Sequence, residues 1–197
     1  MPARLTAIDL FCGAGGLSAG LQQAGFSVLA GNDFFDSAGE TFKATHPDAK
    51  FYGGAIQNIS AKQLLEDTGL QRGELTCLVG GPPCQAFSVY NHQRGMHDER
   101  SGLFREYLRI VEGLNPEWVI MENVTGILSA GGGEAVEAIL QNLKMLGYEN
   151  VEYRILKAEE YGVPQERRRV VFLGNRIGMP IVWPHPTHGE GLKPFVT

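Results

Sequence analysis

Short apolar runs alternate with segments of helical periodicity along the chain. The runs that predict β-strands cover residues 6–11, 27–31, 75–80, 117–121, 151–156 and 169–173. Most of them are continuously apolar, as expected for strands buried on both faces of a parallel sheet. Between them, residues 17–24, 37–45, 103–114 and 136–146 place apolar side chains at helical spacing. The alternation predicts an α/β fold with a doubly wound, mostly parallel sheet and helices on both faces.

Three stretches with glycines or chemically active side chains each follow a predicted strand. They cover residues 11–16, 80–88 and 122–124. Ligands of doubly wound sheets bind beyond the carboxyl ends of the strands. We therefore expect the three stretches to converge on one cleft.

Composition sets the class of protein before any motif is considered. The chain has 197 residues, enough for one hydrophobic core, and we expect a single domain over residues 1–197. It contains no apolar stretch long enough for a membrane span and no signal-peptide pattern, so we expect an intracellular, cytoplasmic protein. Its three cysteines form no CxxC pair, which argues against a disulfide framework and a structural metal site. The net charge is −5, although basic residues gather at 92–100 and 167–169.

A glycine-rich turn, Gly13-Ala14-Gly15-Gly16, follows the first predicted strand. Its spacing departs from the GxGxxG fingerprint of dinucleotide sites, although a pyrophosphate at the helix N-terminus remains one interpretation. The second strand leads to Asp33, whose carboxylate could accept hydrogen bonds from a ribose, or could cap a helix. Phe34 follows and is suited to stacking on a base. Together these residues favour an adenosine-containing ligand, and S-adenosylmethionine fits that description.

Cys84 ends the turn Gly81-Pro82-Pro83-Cys84, which directly follows the third predicted strand, residues 75–80. Glycines permit a sharp turn and prolines fix φ, so the thiol would be held in place. This pattern indicates a nucleophile. The alternative is a small buried cysteine without a chemical role.

Glu122 emerges from the apolar run at residues 118–121. Burial there would favour its protonated form, which could donate to a heteroaromatic ring nitrogen. Strand alternation would place Gln165, Arg167 and Arg169 on one face. These arginines could orient Glu122 for structural reasons alone, contact a base carbonyl or hold a phosphate.

Taken together, these motifs resemble the cytosine-5 DNA methyltransferase family. Residues 9–16, DLFCGAGG, resemble its cofactor loop, and residues 81–88, GPPCQAFS, resemble its nucleophile loop. Glu122-Asn123-Val124 resembles its ENV motif, and Gln165, Arg167 and Arg169 its QxRxR motif. The four motifs stand in the family's order across nearly the whole chain.

The resemblance implies a Rossmann-like, S-adenosylmethionine-dependent fold and a role in DNA methylation, as in restriction–modification. A cytosine of double-stranded DNA would be flipped out, attacked at C6 by Cys84, stabilised at N3 by Glu122 and methylated at C5. Arg169 would contact the cytosine O2, Arg167 would support Glu122 or the base, and residues 88–100 would close over the DNA. By the same resemblance, the cofactor contacts are Phe11, Gly13, Gly15, Gly16, Leu17, Asp33, Phe34, Ile56, Pro82 and Leu103, and the substrate contacts are Gln85, Ser88, Arg94, Asn123 and Gln165. The resemblance implies no metal, and in a prokaryote it implies association with the nucleoid.

Two features depart from the family pattern. Ala55 stands where the family usually has an aspartate that binds the adenine amino group, so we expect weaker cofactor binding unless another group substitutes. The family's target-recognition region and C-terminal helix have no counterpart in these residues. We therefore expect a truncated protein or one subunit of a split enzyme. The alternatives are a cofactor-binding subunit that cannot methylate alone, a tRNA cytosine-5 methyltransferase and, more remotely, a thiol-dependent oxidoreductase.

Overall fold

A seven-stranded sheet organises the chain in a computed structural model that describes residues 4–83 and 101–196. The strands are β1 Thr6–Leu10, β2 Ser27–Asp33, β3 Lys50–Gly53, β4 Cys77–Gly80, β5 Trp118–Val124, β6 Asn150–Lys157 and β7 Arg168–Asn175. Their order across the sheet is β3-β2-β1-β4-β5-β7-β6. The pairs among β1 to β5 are parallel, and β7 pairs antiparallel with both β5 and β6. The predicted doubly wound, mostly parallel sheet is confirmed.

In the part of the chain that the structure describes, five α-helices lie between the strands. They are α1 Gly16–Gln23, α2 Asp36–Thr45, α3 Ala61–Thr68, α4 Ser101–Leu114 and α5 Glu134–Met145. Four match the predicted helices, whereas α3 and the strand β3 are absent from the sequence prediction. Within the described residues, no helix is long and apolar enough to cross a membrane.

The sheet separates two apolar clusters. The larger one joins strand residues such as Leu10, Leu78 and Met121 to side chains of α3, α4 and α5. The smaller one contains Cys12, Val28 and Phe42 and lies beside α1 and α2. Burial on both faces explains the continuous apolar runs of β1 and β4, all of whose residues are buried.

One strand differs from the expectation of burial on both faces. β6 is the last strand of the sheet, and its central residues Glu152, Tyr153, Arg154 and Ile155 are exposed. Consecutive side chains of a strand point to opposite faces, so within the described residues neither face of the sheet is covered at the centre of β6.

The strand order changes direction between β1 and β4. From β1 the chain builds outward through β2 to β3, and then returns to place β4 on the other side of β1. In doubly wound sheets, ligands bind at such a switch point, beyond the carboxyl ends of the strands, which here are β1 and β4.

Candidate active site

The carboxyl ends of β1, β4 and β5 lie side by side. Leu10 is in register with Gly80, which is in register with Met121. The backbone N–H of Gly81 donates to the carbonyl oxygen of Leu10 at 3.3 Å. A Cβ atom at Gly80 would lie 2.8 Å from that same oxygen, so this close approach requires glycine. The convergence predicted for residues 11–16, 80–88 and 122–124 is therefore confirmed for the described part of the second stretch, residues 80–83.

The glycine turn after β1 departs from ordinary backbone geometry. Phe11 has a φ of +57°, a region that bulky residues rarely adopt. Gly15 has a φ of +90° and precedes the first residue of α1. The backbone N–H of Gly13 donates to Oδ2 of Asp33 at 2.8 Å. The turn is thereby tied to the end of β2.

The side chains at the end of β2 suit an adenosine-containing ligand. Oδ1 of Asp33 accepts the backbone N–H of Phe35 at 3.0 Å, so the carboxylate is held in one orientation. The side chain of Phe34 is 67% exposed, and its ring forms a T-shaped pair with that of Phe35, with the centroids 5.6 Å apart. A Cβ atom at Gly13 or at Gly16 would meet nothing within 4 Å, so a ligand can approach the backbone there. The residues present fit the cofactor that the sequence predicts.

The other predicted cofactor residues differ in their surroundings. Leu17 is 39% exposed on α1, whereas Ile56 is 2% exposed and packs in the larger cluster. Leu103 on α4 packs partly buried against that cluster, and Pro82 is buried. Ile56 and Pro82 thus offer little side-chain surface to a ligand, and any contact by them would involve mainly backbone.

Glu122 lies between two arginine side chains. Its Oε1 is 2.9 Å from Nε of Arg169 and 3.8 Å from Nη2 of Arg167. The side chains of Glu122 and Arg169 are 23% and 27% exposed, so water screens this pair only in part. Arg169, expected at the cytosine O2, makes the shorter contact with Glu122.

The start of the cysteine turn is anchored to β5. Nδ2 of Asn123 donates to the carbonyl oxygen of Pro82 at 2.9 Å, within buried surroundings. A Cβ atom at Gly81 would lie 3.5 Å from Oε2 of Glu122. The turn that leads to the cysteine therefore begins beside the carboxylate. The other predicted residues of this part of the site lie outside the described residues. They are Cys84, Gln85, Ser88, Arg94 and the segment 88–100.

Gln165 does not share the position of the two arginines. β7 begins at Arg168, so Gln165 and Arg167 both precede the strand. Gln165 instead lines a depression of about 490 Å³ together with Lys157 and Arg168. The strand alternation behind the prediction therefore applies to neither Gln165 nor Arg167, although the side chains of Arg167 and Arg169 both reach Glu122.

Asp9 is a buried acid that the motif analysis left without a role. It is fully buried in β1, and its Oδ2 accepts the hydroxyl of Ser18 at 2.7 Å, while its Oδ1 has no partner among the described residues. Burial raises the pKa of Asp9 to about 7, an effect that hydrogen bonds from Ser18 reduce. The signal in the sequence was a carboxylate inside the apolar strand Thr6–Leu10.

Two of the three cysteines are buried under the site. Burial raises the pKa of Cys77 to about 12, and it raises the pKa of Cys12 further still. Neither thiol forms a thiolate near neutral pH. The described residues also contain no group of three or more His, Cys, Asp or Glu side chains that could hold a metal ion.

The fold and the site define a Rossmann-like methyltransferase domain. The structure of a DNA modification methyltransferase encoded within a prophage (E. coli) matches with a TM-score of 0.74 at 28% identity, covering 87% of this chain and 46% of that one. The S. pombe Dnmt2 methyltransferase matches with a TM-score of 0.71 at 24% identity, over 91% of this chain and 53% of that one, and shows the fold alone.

The chain belongs to the C-5 cytosine-specific DNA methylase family, which it matches over residues 5–191. It is 42% identical to the type II methyltransferase M.AgeI of Thalassovita gelatinovora over 94% of this chain and 43% of that protein. It is 39% identical to the type II methyltransferase M.AquIA of Picosynechococcus sp. over 92% of this chain and 76% of that protein. The chain thus spans less than half the length of the first relative.

Proposed function

We propose that this chain supplies the cofactor-binding and catalytic region of an enzyme that methylates C5 of cytosine in DNA. The observation that carries the proposal is the position of Glu122, which lies against Arg169 on one side and against Gly81 on the other. Gly81 begins the turn that leads to Cys84 in the sequence. An acid, a cation and the start of the turn that leads to the candidate nucleophile therefore lie at the same strand ends as the glycine turn.

The cofactor in this proposal is S-adenosylmethionine. Gly13 and Gly16 would lie along it, Asp33 would accept the ribose hydroxyls and Phe34 would stack on the adenine. When bound, S-adenosylmethionine supplies an electrophilic methyl group on a sulfonium. The turn at residues 53–55 is held beside Asp33 by Asn32, whose Nδ2 donates to the carbonyl oxygens of Tyr52 and Gly54. Ala55 offers no carboxylate there, so the adenine is recognised without a charged acceptor from this position.

Cys84 is the proposed nucleophile. The pKa values of Cys12 and Cys77 are raised by burial, which leaves Cys84 as the remaining thiol of the chain. A target cytosine must leave the stacked duplex before a protein thiol can reach C6. Asn123 supports this step indirectly, because it fixes the carbonyl of Pro82, two residues before the cysteine.

The proposed reaction passes through a covalent bond to the base. The thiolate of Cys84 forms a bond to C6, and the electrons of the C5–C6 double bond move toward C5. Glu122, held by Arg169, would donate a hydrogen bond or proton to N3 and so stabilise the charge that develops on the ring. C5 then takes the methyl group as the bond from that carbon to the sulfonium sulfur breaks, which leaves S-adenosylhomocysteine. Loss of the C5 proton to solvent supplies the electron pair that restores the C5–C6 double bond, and the bond to C6 breaks to release the thiolate of Cys84.

Base recognition is proposed to come from protein outside these residues. The chain spans 43% of M.AgeI, so the remaining segments would lie in the same polypeptide or in a second subunit. Arg94 and the other basic residues between 92 and 100 would contribute phosphate contacts, since phosphates provide most of the sequence-independent affinity for DNA.

A mechanism-based trap tests the proposal. Duplex DNA with 5-fluorocytosine in a randomised sequence would be incubated with the chain and S-adenosylmethionine, and a covalent adduct would be sought on a denaturing gel. The fluorine cannot leave as a proton does, so the bond to Cys84 would persist. We expect an adduct with the wild-type chain and none with Cys84→Ser.

Other outcomes separate the alternatives. An adduct that persists in Cys84→Ser would exclude Cys84 as the nucleophile, and an adduct formed with fluorinated RNA but not with DNA would favour the tRNA enzyme. A chain that binds S-adenosylhomocysteine in calorimetry but forms no adduct with either polymer would be a cofactor-binding subunit. Absence of both adduct and cofactor binding would overturn the proposal.

A further inference from the structure

His46 is a buried polar residue beside the proposed cofactor site. It follows the last residue of α2 and is 1% exposed. Its ring packs against Phe42, with the ring centroids 4.7 Å apart. Histidine is seldom buried this completely without a polar partner.

Both ring nitrogens of His46 face polar groups of α1 and its cap. Nε2 lies 3.1 Å from the carbonyl oxygen of Gly15, and Nδ1 lies 2.9 Å from the side-chain amide of Gln22. A carbonyl oxygen can only accept, so Nε2 carries the hydrogen of this bond. The same carbonyl oxygen also accepts the N–H of Ala19 at 2.8 Å, within the first turn of α1.

Gly15 and His46 are also matched in shape. A Cβ atom at Gly15 would lie 2.3 Å from Nε2 of His46, so the ring occupies the space that any other residue at position 15 would need. Gly15 also has a φ of +90°, which excludes most side chains independently. The imidazole thus packs directly on the backbone of the glycine turn.

This contact connects the two halves of the proposed cofactor site. The glycine turn would hold the methionine end, whereas α2 begins three residues after Asp33, at the adenosine end. The hydrogen bond from the N–H of Gly13 to Asp33 already ties the glycine turn to the end of β2, just before α2. The hydrogen bond from His46 to Gly15 makes a second connection to the glycine turn, from the C-terminal end of α2. Two separate ties fix the orientation of one half relative to the other before a ligand binds.

We infer that His46 is a positioning residue for the cofactor, acting through the carbonyl of Gly15. It keeps the glycine turn at the spacing from Asp33 that a ligand spanning both requires, which lowers the ordering cost of binding. The inference rests on the proposed function, because it assumes that this site binds S-adenosylmethionine.

The test compares two polar replacements of similar size. In His46→Gln the longer side chain can place an amide N–H where Nε2 stands, whereas His46→Asn reaches only the position of Nδ1. Binding of S-adenosylhomocysteine would be measured by calorimetry, with thermal unfolding recorded for each protein. We expect His46→Gln to bind like the wild type and His46→Asn to bind on the order of five- to tenfold more weakly.

Tyr148→Phe is the control for a general loss of stability. The hydroxyl of Tyr148 is fully buried and donates to the carbonyl oxygen of Pro116 at 2.8 Å, away from the site. Its removal should lower the unfolding temperature without changing the affinity. Equal affinities for His46→Gln and His46→Asn, or an equal loss in Tyr148→Phe, would overturn the role of His46. A wild-type chain that binds no S-adenosylhomocysteine would instead overturn the proposed function.

Discussion

Glu122 and Arg169 are diagonal neighbours across the antiparallel pair β5–β7, with Nε of Arg169 2.9 Å from Oε1 of Glu122. The register pairs Glu122 with Val171 and Val124 with Arg169. Residues two positions apart on a strand share a face, so the arginine reaches the carboxylate from the adjacent strand. This contact gives the proposed acid its orientation.

Replacing Arg169 by lysine should slow the reaction without weakening cofactor binding. Lysine keeps the charge but loses the planar group that presents Nε to Glu122, and we expect adduct formation to slow on the order of tenfold or more. The rate of trapping by 5-fluorocytosine DNA measures this. Arg168→Lys is the matched control, because Arg168 lines the depression beside Lys157 and should behave like the wild type. Equal rates in the two variants would contradict the role of Arg169.

Asp9 should make the folded chain less stable as the pH rises. Its pKa is about 7 in the folded protein, against 3.8 for the ordinary side chain. Between these values the folded state binds more protons than the unfolded state, so the free energy of unfolding falls with rising pH, by at most about 1.4 kcal/mol per pH unit from this group. Asp9→Asn should remove this contribution, as measured by urea unfolding at pH 5 and pH 7.5.

Ser18→Ala provides the opposite change at the same place. The hydrogen bond from Ser18 lowers the pKa of Asp9, so its loss should raise that pKa further and extend the fall in stability to higher pH. A pH dependence identical in wild type, Asp9→Asn and Ser18→Ala would show that Asp9 does not titrate in this range.

Alanine at Gly80 should destabilise the fold. The added methyl group would lie 2.8 Å from the carbonyl oxygen of Leu10 and 3.0 Å from the ring of Tyr107, both of which are held inside the sheet and core. Overpacking of this kind typically costs about 1–3 kcal/mol. Gly20→Ala in α1 is the control, since its methyl group would meet nothing and should stabilise the helix by about 0.5–1 kcal/mol. Denaturant unfolding would reveal whether the two changes have opposite signs.

Phe34 and Phe35 offer a matched test of the base-stacking role. Their side chains are 67% and 66% exposed, so alanine at either position should change stability little. Only Phe34 is expected to stack on the adenine, and Phe34→Ala should weaken binding of S-adenosylhomocysteine by about tenfold, within the usual range for aromatic stacking on a base. Calorimetry on both variants checks this. A loss in Phe35→Ala alone would place the stacking surface one residue further along.

The sequence pattern predicted most of the strands and helices but missed two, β3 and α3. β3, Lys50–Gly53, has four residues, too few for a periodic pattern to stand out. α3 was missed, although residues typical of helix caps stand at both of its ends. Ser60 accepts the N–H of Gln63 at the start, and Gly69 follows the helix at a φ of +69°. The order of motifs still predicted the convergence of the three loops, since parallel strands bring their carboxyl ends to one edge.

The sequence by itself determined the alternation of strands and helices, the turns at Gly13–Gly16 and Gly80–Pro83, and the chemical groups available at the strand ends. Periodicity and turn residues act over a few neighbouring positions, so these signals can be read in each segment without knowing which other segments it packs against. Only the tertiary structure decided that β7 runs antiparallel beside β5, that Arg169 lies closer to Glu122 than Arg167 does, and that His46 packs on Gly15. These contacts join residues 31 or more positions apart, and strand order and register, which local propensity does not encode, determine them.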